Sequence, residues 1–163
     1  MNQPIIESSS LTSAWRQWLS SPAGVYLLEW EQGLLDQLVA DVYGYHALQL
    51  GMPELSALKT NRMPHQWLAH SETEDVPDTL NYQFAAHSIA LPFQADSMDL
   101  LVMPHSLELS LDAHASLREA ERVLMPEGHL IMTGLNPASL WGWRHKRSQW
   151  YQRWGFEGLT APP

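Results

Sequence analysis

The chain has 163 residues, 45% of them apolar, no cysteine, and a formal net charge of −9. This is apolar content enough for one domain with a sizeable core, and the lack of cysteine excludes thiol catalysis, a disulfide framework and thiolate metal sites. Charge is unevenly spread: residues 1–140 hold 17 acidic against 5 basic residues, a net −12, whereas 141–163 hold 4 basic against 1 acidic, a net +3. An acidic body repels nucleic acid, so none is expected as a partner. The opening MNQPIIESSS has neither a basic start nor an apolar run, so neither a signal peptide nor a membrane span is expected, and the cytoplasm is the expected location.

In chain order, residues 1–42 read as an N-terminal helical segment, with helices over 13–20 and 24–41. In the second, Leu27, Leu28, Leu34, Leu35, Leu38 and Val39 form a broad apolar stripe. Residues 43–140 read as an α/β core. Strands are expected near 45–50, 65–70 and 82–86, and the polar, acidic segment Ser71 to Asp78 reads as a surface loop. Asp99-Leu-Leu-Val-Met103 is a short apolar run suited to a buried parallel strand. Asp112 then caps a helix over 112–125 whose Leu117, Ala120 and Leu124 recur at helical spacing, and Pro126-Glu-Gly128 stops it. Gly128 to Thr133 is a fifth strand, parallel to the fourth through this crossover, and the first strand is expected at the centre. The remainder, 141–163, is a basic segment rich in tryptophan. If helical, it puts Trp143, Trp150 and Trp154 on one stripe, most simply a packing surface.

Several of these residues together resemble a known family. Leu91-Pro92-Phe93 followed by Asp96-Ser97-Met98-Asp99, then Leu117-Arg118-Glu119 with Arg122-Val123-Leu124, Pro126-Glu127-Gly128 and Gly134-Leu-Asn-Pro137, resembles the class I S-adenosylmethionine-dependent methyltransferases of the type 11 kind. Within these, the chain is most like a bacterial group known mainly by sequence. Tyr43 to Gly51 falls where that family has its first strand and first glycine, so the resemblance covers about residues 40–140. It implies a Rossmann-like, doubly wound, mostly parallel sheet with helices on both faces. Five strands would be present and the last two of the family missing. A C-terminally incomplete sheet would leave an exposed edge, through which self-association is expected.

The resemblance also assigns the site. S-adenosylmethionine is the implied cofactor, and the turn after the first strand, Gln49, Gly51 and Met52, would hold it, because glycine lets backbone approach a ligand closely. Here Gln49 stands where the family carries an acid, and Pro53 and Leu55 stand where further glycines are usual. Restoring an acid at 49 is expected to strengthen binding if the pocket is intact. At the end of the second strand Glu72 is the candidate for the ribose hydroxyls. At the end of the third, His87 with Ser88 takes the place of the acid that meets the adenine edge. Pro104, a further candidate to line the cofactor, and His105 follow the fourth strand, where open parallel sheets present side chains to ligand. His105 is the candidate general base or acceptor-orienting group, against the plainer reading of a histidine bonded within its loop.

Other chemistries find little support. The eight histidines are scattered, without HExxH, so no metal is expected. No Gly-x-Ser-x-Gly elbow occurs, and Gly51 is the only glycine of its turn, short of a dinucleotide fingerprint. Two classes remain: a methyltransferase acting on a small-molecule acceptor, or a degenerate relative that keeps the fold without tight cofactor binding and acts as an interaction or regulatory module.

Overall fold

The computed structural model describes residues 13–71, 82–110 and 112–135. In chain order these form α1 (13–19), α2 (Pro22–Ala40), β1 (His46–Leu50), β2 (His65–His70), β3 (Gln83–Ala85), β4 (Met98–Pro104), α3 (Ser106–Leu109), α4 (Ala113–Val123) and β5 (Leu124–Thr133). The five strands make one sheet of order β3-β2-β1-β4-β5, parallel throughout. β1 is therefore central, as its nearly complete burial requires. The stripe of Trp143, Trp150 and Trp154 lies outside the described residues, as does the loop from residue 72 onward.

The sheet separates two apolar layers, with α1 and α2 on one face and α4 on the other. On one, Trp15 and Leu19 of α1 and Leu35 and Val39 of α2 pack with Met52, Leu55 and Leu58 over Ala47, Leu100 and Val102. On the other, Ala120 and Val123 of α4 pack over Leu48, Leu50, Leu101 and Met103. α2 begins two residues before its expected start because Ser21 accepts a hydrogen bond from the Gly24 N–H and Pro22 occupies the first turn. Asp99 fixes the entry to β1: its Oδ2 accepts the N–H of Tyr45 and of His46, each at 2.9 Å. A Cβ on Gly44 would stand 2.4 Å from the Asp99 side chain, so only glycine lets the chain pass.

The two crossovers that flank β1 and β4 differ. α4 is capped as expected, Asp112 Oδ1 accepting the Ala115 N–H at 2.8 Å. It ends at Val123, before Pro126, since Leu124 is already extended and pairs with Met98. The turn at Pro126–Gly128 is then an irregularity inside β5, with Glu127 at φ 67°. By contrast, residues 51–64 between β1 and β2 form turns and no α-helix. α2 lies over this strap instead: Gln32 exchanges two hydrogen bonds with the Ser56 backbone, Thr60 donates to Asp36 O, and the Asn61 amide donates to Val39 O and Val42 O. That last contact ties the strap to the C-terminal end of α2 and the residues just after it. At the far side β5 pairs with β4 alone among the described residues, and Met125, Leu130 and Met132 on it are exposed.

Candidate functional site

Chain order reverses between β1 and β4, and in open parallel sheets ligands bind outside the carboxyl ends of strands at such a point. Two loops meet there. After β1, Gly51 and Met52 are both left-handed, at φ 73° and 57°. A Cβ on Gly51 would meet only Ser106 Oγ, at 3.6 Å, so the positive φ rather than lack of space calls for glycine. At the end of β4, Pro104 and the following His105 and Ser106 are buried, and His105 is left-handed at φ 49°. Ser106 Oγ donates to Leu50 O at 2.6 Å and so bridges the two loops.

Gln49 organises the first loop. Its buried side-chain amide lies 3.1, 3.0 and 2.9 Å from the carbonyls of Gly51, Met52 and Leu55, and its Oε1 accepts the Ala57 N–H at 2.9 Å. A carboxylate has no N–H to offer these carbonyls, which is the physical reason an amide replaces an acid here. The loop N–H groups are also engaged internally: Gly51 donates to Ala69 O, Leu55 to Met52 O and Ser56 to Gln32 Oε1. Met52 and Leu55 point into the core, and Met52 Sδ accepts the Trp15 indole N–H at 3.3 Å.

His105 is fully buried, with carboxylates at both ring nitrogens. Nε2 lies 2.9 and 3.0 Å from the two oxygens of Glu31, itself only 3% exposed, and Nδ1 lies 3.4 Å from Glu108 Oε1. Burial alone disfavours the imidazolium and is the largest single effect. Hydrogen bonds to Glu108 and Glu31, with their charges, outweigh it and raise the His105 pKa to about 9. The ring is thus charged at neutral pH and donates from both nitrogens. The Trp15 ring packs on it at 4.9 Å between centroids. Glu108 Oε1 also accepts the Leu135 N–H at 2.6 Å, so this carboxylate ties α3 to the chain leaving β5.

The other candidate residues are arranged more openly. His87 is exposed at the end of β3, in a turn closed by the Ala90 N–H on its carbonyl. Ser88 Oγ lies 2.8 Å from Ser116 Oγ, which is 2.8 Å from Ser110 Oγ, a hydroxyl chain from the third strand's end to the start of α4. Pro104 is buried at the end of β4, where it pairs with Thr133. Glu72 lies outside the described residues. Gln49, Gly51, Met52, Pro104 and His105 are thus brought together, and His87 with Ser88 stands at the next-but-one strand end of the same sheet edge.

Reading the sequence alone misses Trp15, Glu31 and Glu108, which surround His105. Glu108 alone carried a local signal, lying three residues from His105, whereas the burial of Glu31 on α2 is shown by the structure and not by the sequence. Arg16 of α1 adds an ion pair to Glu54 of the first loop, at 3.2 Å.

Comparison with known proteins agrees with this architecture. A family profile described as methyltransferase domain, of the type 11 group, matches residues 52–132. An uncharacterized Escherichia coli (strain K12) protein, YafS, is 32% identical over 130 residues, which are 78% of this chain and 51% of that protein. The chain thus spans about half the length of this curated relative. Among solved structures, an S-adenosylmethionine-dependent methyltransferase from Thermotoga maritima superposes with a TM-score of 0.60 at 15% identity, over 88% of this chain and 67% of that one. A Haloferax volcanii methyltransferase, solved in complex with a methyltransferase activator, gives 0.55 at 20% identity, over 72% and 58%. With a five-stranded parallel sheet and residues 52–132 matching the type 11 methyltransferase domain, the chain has the class I methyltransferase-like fold.

Proposed function

We propose that the chain is the cofactor-side part of an S-adenosylmethionine-dependent methyltransferase that acts on a small-molecule acceptor in the cytoplasm. The observation that carries this reading is the left-handed Gly51 at the β1–β4 reversal of a parallel sheet, with His87 exposed along the same edge. In this reading Gly51 and Met52 form the floor of the cofactor site, His87 and Ser88 meet the adenine edge, Glu72 takes the ribose, and Pro104 walls the acceptor side. His105, with both nitrogens engaged, orients its loop from below and takes no proton from the acceptor. Among the described residues no helix is long and apolar enough to cross a membrane, and no group of three His, Asp or Glu side chains could hold a metal ion.

The residues fit the implied cofactor at one end only. The β3 end offers exposed His87, whose imidazole can accept a hydrogen bond. The β1 turn does not fit in this state: Pro53 has no N–H, and the N–H groups of Gly51, Leu55, Ser56 and Ala57 are all engaged within the protein. This second observation favours the other reading, a methyltransferase fold without tight cofactor binding that acts as an interaction module.

Calorimetric titration with S-adenosylhomocysteine separates the two. The enzyme reading expects saturable binding that weakens in His87→Ala, together with a raised thermal midpoint; a ligand at 100 times its dissociation constant stabilises by roughly 2.7 kcal/mol. No heat and no midpoint change at millimolar ligand would leave the interaction module.

A further inference from the structure

The closed turn after β1 and the buried charge at His105 share one set of partners, the N-terminal helices. α1 reaches both loops of the crevice: Trp15 bonds Met52 of the first and packs on His105 of the second, while Arg16 pairs with Glu54. α2 also reaches both, through Gln32 on Ser56 and Glu31 on His105. The other contacts are a buried bond from Trp15 to Met52, ring packing, a part-exposed ion pair and an exposed hydrogen bond. Glu31–His105 is different, being a charged pair that is 3% and 0% exposed. Parting it takes one of two carboxylates from a buried imidazolium and leaves Glu108 alone against it, so this is the charged tie between α2 and the loop after β4.

We propose that Glu31, His105 and Glu108 form a charge latch that holds α1 and α2 closed over the carboxyl ends of β1 and β4, and that release of this latch opens the crevice. The second half rests on the reading of the crevice as the methyltransferase site. The charged groups paired with His105 among the described residues are Glu31 from α2 and Glu108 from α3; α1 presents the neutral ring of Trp15. Glu108 anchors the imidazolium to its own loop and to Leu135, so when the pair separates it is α2, carrying Glu31, that leaves. With the helices lifted, Met52 loses the Trp15 bond and the strap loses its stitches to α2, which frees the turn to re-form around a ligand. The described state is then the closed member of a pair, and ligand affinity is reduced by the fraction of molecules that are open.

The test uses Glu31→Gln and the conservative Glu31→Asp, with two measurements. Backbone amide exchange at pH 7 should accelerate about tenfold or more over 13–40 and 51–61 in Glu31→Gln, while β4, α4 and β5 keep their rates, with Glu31→Asp in between. S-adenosylhomocysteine should bind Glu31→Gln more tightly than the unmodified chain by a similar factor, whereas a merely structural role for Glu31 weakens binding. Unchanged exchange, or acceleration spread evenly over the sheet, overturns the latch. Local acceleration with unchanged or weaker ligand binding overturns its gating role. If no protein of the series binds the ligand, the methyltransferase reading falls and exchange alone judges the latch. Should Glu31→Gln fail to fold, the unmodified chain supplies the same test. Exchange over those segments, corrected for intrinsic base catalysis, should accelerate as pH rises through about 9, where His105 loses its proton.

Discussion

The β4–α4–β5 crossover and the β1–β2 crossover serve one sheet but stand by different means. The first carries its own helix, with its own cap at Asp112 and an apolar face of Ala120 and Val123. The second has no helix and takes its order from elsewhere: Gln49 from within the strand, and Gln32, Asp36 and Val39 from α2, some twenty residues earlier. A unit that caps and covers itself tolerates change at its edges. A strap held by single buried side chains concentrates its stability in those few residues.

That contrast can be broken most severely at Gln49. Gln49→Glu sets a buried carboxylate against three carbonyls within 3.1 Å, and an uncompensated buried charge costs about 3–5 kcal/mol. For a chain of this size the thermal midpoint should fall by roughly 10 °C or more, measured by calorimetry. The acid that the family pattern favours at this position thus opposes the turn found here. A midpoint within a degree or two of the unmodified protein would mean that the strap has another way to stand.

Asn61→Ala sharpens the comparison at the other end of the strap. It removes the donor to the Val39 and Val42 carbonyls and the acceptor for the Met63 N–H, at a site 7% exposed. Buried groups left without partners cost about 1–3 kcal/mol, and urea unfolding should show a loss near 2. The smallest effect belongs to the self-contained crossover. Asp112→Ala deletes one capping bond at an exposed position, and about 1 kcal/mol is expected. If Asp112→Ala cost more than Asn61→Ala, the ranking of the two crossovers would be reversed.

The fourth strand was legible in the sequence as a short apolar run between polar neighbours, Asp99 to Met103 lying within β4, and β1 stands at the centre as expected. α4 was legible from its cap and spacing, although its end was displaced by two residues, since Leu124 is taken into strand pairing before Pro126 can stop a helix. The surroundings of His105 were not legible. Glu31 is 74 residues away, and no local pattern says that a charge on the buried side of α2 will meet a ring after β4. Nor does a glutamine in a strand announce that its amide will hold a turn together. That depends on backbone carbonyls turning inward, which follows from the left-handed pair Gly51 and Met52.

β5, at one edge of the sheet among the described residues, also divides the methionines chemically. Met125 and Met132 on β5 are 36% and 45% exposed, while Met52, Met63, Met98 and Met103 are all at 5% or below. Thioether oxidation follows access, so a mild peroxide treatment should convert the β5 pair to sulfoxides long before it reaches the buried four. Each sulfoxide adds a polar oxygen to an apolar edge, making that edge less adhesive and leaving the crevice between β1 and β4 untouched. Oxidative chemistry thus acts on this fold from its rim inward, and sulfoxide at Met52, which accepts the Trp15 bond, would be a late mark of a molecule that had already opened.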